Sequence, residues 1–152
     1  MDRNLVAYQK SLIVFLVTVL SLVFQTASCL AESQAKDRTF SAVVTDSQGV
    51  ESEIKNVLFY WEEKVSETAF VPHELRDVPV KKGTATIKVK FDQIKQIDIK
   101  PASDSGTPTV VISLASGKTG EFLLAINGSF KGVSDFGEAE FPANALRKIV
   151  FK

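Results

Sequence analysis

The sequence has one cysteine, Cys29, among 152 residues. That excludes an internal disulfide and any metal site built on several thiolates. It has one histidine, His73, so a zinc site would rest on carboxylates almost alone. Charge of one sign is lacking too, since 18 basic side chains balance 18 acidic ones. A neutral chain carries no electrostatic footprint for a polyanion, and nucleic acid is not an expected partner. Past Arg38 the chain lacks any long window whose apolar residues recur with helical period, so no substantial helix is expected.

Fragments of catalytic signatures occur without their context. Asp135-Phe136-Gly137 spells the metal-binding triplet of protein kinases, with no glycine-rich loop, strand lysine or catalytic loop to accompany it. Gly117-Lys118-Thr119 ends like a phosphate loop, but Ile112 stands where the first glycine is needed and strand-like residues follow. His73 sits in residues 71–77, VPHELRD, which read as a proline-led polar loop, and no Gly-x-Ser-x-Gly elbow presents it with a hydroxyl. Asp46, Asp92, Asp104 and Asp135 stand beside turn residues without the alternate spacing of a calcium loop. No catalytic residue, metal ligand or cofactor is expected, and the chain reads as a non-enzyme.

What is present begins with a leader. Arg3 and Lys10 come before residues 11–24, SLIVFLVTVLSLVF, a run without charge or helix breaker, and small residues follow as far as Ala31. A basic start, an apolar centre and a small-residue end mark residues 1–31 as a signal peptide. Cys29-Leu30-Ala31 places small residues where a signal peptidase reads, so the mature chain would start at Glu32. Thr26-Ala27-Ser28-Cys29 resembles the lipobox of bacterial lipoproteins, with Thr26 where leucine is usual, and implies lipidation at Cys29. An uncleaved anchor suits the run least, because spanning a bilayer takes about 20 apolar residues. The expected location is periplasmic or extracellular, with a membrane-anchored lipoprotein as the alternative. Contact with membrane would come only through the leader or a lipid on Cys29.

After a polar lead-in over residues 32–38, short β-forming runs alternate with turn signals through residues 39–152. The expected fold is all-β, a single compact β-sandwich or small barrel of about eight to nine strands. Residues 84–91 alternate cleanly, with Ala85, Ile87, Val89 and Phe91 on one side and Thr84, Thr86, Lys88 and Lys90 on the other. Asn127-Gly128 reads as a two-residue hairpin turn in preference to a glycosylation triplet with Ser129. Residues 101–108, PASDSGTP, read as a loop, and residues 62–68 as the one candidate for a short helix. The pattern is similar to small β-barrel modules of exported bacterial proteins.

Two internal echoes suggest similar halves over 39–100 and 109–152. Residues 43–49 with Glu53-Ile54 match residues 111–117 with Glu121-Phe122 at a constant offset of 68. Ile87, Val89, Ile94, Lys95, Ile97 and Ile99 match Ala139, Phe141, Leu146, Arg147, Ile149 and Phe151 at an offset of 52, which leaves the first half 16 extra residues in its middle. A unit that cannot cover its apolar face alone gains by being repeated. Thr86 and Lys88 correspond to Glu138 and Glu140. Should those strands be neighbours, their outer faces would attract.

Phe59-Tyr60-Trp61 is the densest aromatic run. Alternation sends Phe59 and Trp61 to one face, expected to be core, and Tyr60 to the other, where it is free to meet a ligand or partner. The expected function is therefore an exported binding or accessory module whose partner is another envelope or extracellular protein. The alternatives are a carbohydrate-binding module using Tyr60 or Trp61, and an enzyme with an unrecognised site. The leader reading carries its own test. Mass spectrometry of the exported protein should find a start at Glu32 or a lipid-bearing Cys29. Replacing Cys29 by Ser should release the protein from membrane only in the second case. A soluble protein that keeps Met1 through Cys29 would contradict both.

Overall fold

The structure, a computed structural model, describes residues 39–100, 102 and 106–152. The expected leader over 1–31 with Cys29, and the expected lead-in over 32–38, lie outside the described residues, as do positions 101 and 103–105 of the expected loop. Alternating runs fold as strands because the two sides of a pleated chain face opposite environments. In β1 (Ser41–Asp46), for example, Ala42 and Val44 are buried while their neighbours are partly exposed. Ten more strands follow: β2 (Glu51–Lys64), β3 (Phe70–Leu75), β4 (Asp77–Lys82), β5 (Ala85–Lys90), β6 (Ile94–Lys100), β7 (Thr109–Leu114), β8 (Thr119–Leu124), β9 (Ser129–Ser134), β10 (Gly137–Pro142) and β11 (Leu146–Phe151). Short 3-10 turns over Phe91–Gln93 and Ala143–Ala145 lead into β6 and β11.

All strands join one antiparallel sheet in the order β10-β9-β2-β1-β11-β6-β7-β8-β4-β5, with β3 on β2 beside that path. The two echoes become structural equivalents. β1 and β7 share their bounds at the offset of 68, and β4, β5 and the first 3-10 turn match β9, β10 and the second at the offset of 52. Exchanging each strand with its counterpart returns the same order read backwards. The centre of this two-fold relation is the pair Ile97–Ile149, flanked by Asp98–Lys148 and Gln96–Val150. The halves are interleaved. β9, β10 and β11 of the second half flank β1 and β2 of the first, while β4, β5 and β6 flank β7 and β8.

The core follows the same relation. Val44 and Ile112, Val78 and Phe130, Ile94 and Leu146, and Ile97 and Ile149 are buried pairs that all belong to one cluster. No helix among the described residues covers that apolar face, so the sheet curls to cover it with itself. β10 and β5 remain as free ends, and the barrel does not close.

Four local expectations change. The expected loop over residues 71–77 is instead most of β3 and the start of β4, and the strands total eleven. Pro72 is tolerated on the outlying β3, and Pro79 keeps its place in β4 because its carbonyl accepts the Ala125 N–H at 2.9 Å. Residues 62–68 are not helical: Glu62, Glu63 and Lys64 extend β2 opposite Pro72, Val71 and Phe70, and the Val65 N–H donates to the Ala69 carbonyl at 3.0 Å to close the hairpin. Asn127-Gly128 does not turn a hairpin, since β8 pairs with β7 and β4 while β9 pairs with β10 and β2. It carries the chain from one side of the sheet to the other. Gly128 is required there because a Cβ would meet the Tyr60 carbonyl at 2.5 Å and the Phe59 ring at 2.6 Å. Finally, β5 and β10 lie at opposite ends of the sheet, so their charges do not meet within the chain. As a sheet end β5 also buries only Val89 of its apolar row, leaving Ile87 39% exposed.

Truncating Ile97 or Ile149 to Ala should cost on the order of 2–5 kcal/mol by denaturant unfolding. Lys88→Ala, on an exposed position, should stay within about 0.5 kcal/mol. The double variant should depart from additivity, because directly paired residues share one cavity. A larger loss at Lys88 than at Ile97 would invert the face assignment.

Candidate functional site

The two halves differ most where the first carries its extra residues. β2 runs for 14 residues, and its far portion together with β3 forms a hairpin without a counterpart. Phe59 is the last fully buried residue of β2, edge-on to Phe130 with ring centroids 5.3 Å apart. Beyond it the strand leaves the core, so Trp61 lies on the Phe59 side but only half-buried, at the core's rim. The expectation of a fully buried tryptophan is corrected for that reason. His73, directly opposite in β3, stacks on Trp61 with centroids 4.4 Å apart and planes 11° from parallel. Its Nε2 stands 3.1 Å from Glu63 Oε2. His73 is therefore a strand residue with a fixed ring, not a solvated loop residue.

Tyr60 faces outward as its position in the alternation requires. Lys131 Nζ sits 3.2 Å from the Tyr60 ring centroid, a close cation–π contact. Lys131 also pairs with Glu140 at 3.1 Å. The Tyr60 hydroxyl donates to the Glu62 carboxylate. That bond, with lesser contributions from desolvation and the charges of Glu62, Glu140 and Glu74, pushes the phenol up to about 12. Burial works to raise Glu140, but hydrogen bonds from Lys131 and Ser129 and the Lys131 charge outweigh it and hold the carboxyl below its ordinary value.

Two hollows flank this row. One of about 420 Å³ is lined by Leu58, Glu74, Lys131, Val133 and Glu140 among others. A second of about 300 Å³ borders Tyr60, Trp61, Asn127, Gly128 and Ser129. Among the described residues no group of three or more His, Cys, Asp or Glu side chains is placed to hold a metal ion. Cys29 lies outside the described residues. The structure thus brings Tyr60 and Trp61 to opposite faces of one strand, each with one ring face occupied, by Lys131 and by His73.

Sequence reasoning missed His73 as the partner of Trp61, and Lys131 as the partner of Tyr60. The first was hidden by Pro72. The second depends on β2 pairing with β9, which brings Tyr60 beside Ser129 and Leu58 beside Lys131. Also missed was the apolar tip of the hairpin, where Val65, Phe70 and Val71 are exposed.

Fold and surface together define an all-β domain of two interleaved halves, one of which carries an added hairpin. Residues 36–152 match the model of a family described as "Uncharacterised protein", and the chain belongs to that family. No curated protein matches it.

Tyr60 is the only tyrosine of residues 32–152, so it would be the sole tyrosine of a chain that starts at Glu32. Ultraviolet titration of such a chain should show ionisation near pH 12, well above the ordinary phenol value of about 10. The folded state holds this proton more tightly than the unfolded one. The associated stability is thus present below the ordinary phenol value and lost as pH rises through the folded value. Glu62→Gln should bring the titration down toward the ordinary range, and an unchanged curve would contradict the assignment. Trp61 fluorescence should be partly quenched by iodide, and His73→Ala should increase that quenching.

Proposed function

We propose that the chain is exported and acts without catalysis, binding another protein of the envelope or outside the cell through the β2–β3 hairpin. The observation that carries this reading is the apolar tip, where Val65, Phe70 and Val71 are 56%, 54% and 41% exposed. Exposed apolar side chains gathered at one hairpin end mark a contact surface, and because Val71 lies on the Trp61 side of the hairpin and Phe70 on the other, a partner would grip the tip from both sides. The second half folds without any such hairpin, so stability of the sheet does not explain it. Behind the tip, the stacked Trp61 and His73 and the Glu63 contact support a rigid base, which lowers the ordering cost of binding. The leader supports export, since a chain with this start would meet its partner beyond the inner membrane.

Photo-crosslinking in the producing cell tests the reading. A crosslinker at Phe70 or Val71 should capture one protein species in the exported fraction, and Phe70→Glu with the crosslinker at Val71 should abolish the capture. A crosslinker at Lys148, exposed on β11, should capture none. Equal capture from Lys148, or capture insensitive to Phe70→Glu, would overturn the proposal.

A further inference from the structure

Two features far apart in the strand order are left without use by the fold. The first is Phe136, fully exposed at the tip of the β9–β10 hairpin. The tip has a defined shape. The Ser134 hydroxyl donates to the Gly137 carbonyl at 2.9 Å, the Phe136 N–H donates to that hydroxyl at 3.3 Å, and Gly137 takes a φ of 126° that disfavours other residues. Acidic groups flank the ring. Asp135 makes only a loose contact with Lys55 at 3.7 Å, and Glu138 is exposed at the start of β10.

The second is a cavity of about 300 Å³ between β5 and the β7–β8 hairpin. Ile87, Leu114 and Phe122 contribute to its apolar lining, and Lys82, Lys88 and Lys118 share its wall. Phe122 lies across Gly120, where a Cβ would meet the ring at 2.7 Å. Lys82 Nζ approaches the same ring at 5.8 Å. None of the three lysines forms an ion pair among the described residues.

The two halves act as controls for each other. At the two-fold equivalents of Lys82, Lys88 and Lys118 stand Ser134, Glu140 and Val50, and Thr84 stands at the equivalent of Phe136. The projecting ring belongs to the second half and the basic cavity is built where β5 of the first half meets β7 and β8 of the second, yet neither has an equivalent at its two-fold related position, so the shared fold requires neither.

We propose that the β9–β10 tip of one copy of this chain docks in the lysine-walled cavity of another, with Phe136 in the apolar pocket and Asp135 and Glu138 facing the lysines. A phenyl ring fits a cavity of this volume; a buried aromatic anchor carries much of the affinity of a compact interface, and complementary charges around it set the partner and the association rate. The complementary rows that β5 and β10 hold at opposite sheet ends would then meet between copies. The contact is heterologous, because a projection on one copy enters a cavity on the next, so it propagates into chains unless the rotation closes a ring. It uses neither Tyr60 nor the β2–β3 hairpin.

Sedimentation velocity on the chain as its producing cells process it tests the proposal. Mass should rise with concentration at low salt and fall back toward monomer at high salt, where the charges are screened. Phe136→Ser alone, and Lys88→Glu with Lys118→Glu, should each keep a wild-type circular dichroism spectrum and associate at least about tenfold more weakly. Mixing these two variants should give a dimer that grows no further, since one retains only the cavity and the other only the projection. A wild-type chain that stays monomeric, a Phe136→Ser variant that assembles normally, or a mixture that fails to pair would overturn the proposal. Dodecanoate binding in the cavity of a non-associating wild-type chain would assign the cavity to a small anionic amphiphile instead.

Discussion

An antiparallel sheet with one apolar face must hide that face. Here no described helix is available to do it, so the sheet has to cover itself. Everything else in the architecture depends on that constraint. The sheet solves it by curling about a seam where β6 meets β11, with Ile97 and Ile149 directly paired and fully buried. Burying one such side chain contributes roughly 1.5–3 kcal/mol. The larger effect is geometric: the seam sets the register on which both halves are laid out.

Interleaving follows from the order of strands. Because β9, with β10 beyond it, pairs against β2, and β4 against β8, neither half completes a sheet with its own strands. Each half covers the apolar edge of the other, so a unit too small to bury its own face becomes stable when two are woven together. The core positions stay alike between the halves, as at Ile94 and Leu146 or Val44 and Ile112. Differences collect at the surface: the β2–β3 hairpin, the Tyr60–Lys131–Glu140 row, the Phe136 tip and the basic cavity. Symmetry serves folding, and departures from it mark where recognition can be placed.

The sequence made much of this visible. The two echoes, at offsets of 68 and 52, fall on equivalent strands and on the two 3-10 turns. The alternation that assigned Ile97, Ile149 and Tyr60 to their faces also holds. Periodicity failed where a neighbour decided the outcome. Pro72 and Pro79 disguised β3 and β4, because proline signals a loop unless its missing N–H is not needed by the adjacent strand. Asn127-Gly128 has the composition of a hairpin turn, yet its neighbours pair elsewhere. Trp61 has the pattern of a core residue but stands one step past the core's limit. Lys131 over Tyr60 and His73 on Trp61 are products of pairing between distant segments, which a single-strand pattern does not encode.

Interleaving is the central claim, and native-state hydrogen exchange measured residue by residue tests it most directly. Strands that hold each other in place cannot open half by half. The slowest amides of β6 and β7 and those of β1 and β11 should therefore exchange through one common unfolding event, with the same opening free energy and the same denaturant dependence. Two separate classes, with residues 39–100 opening independently of 109–152, would contradict the account.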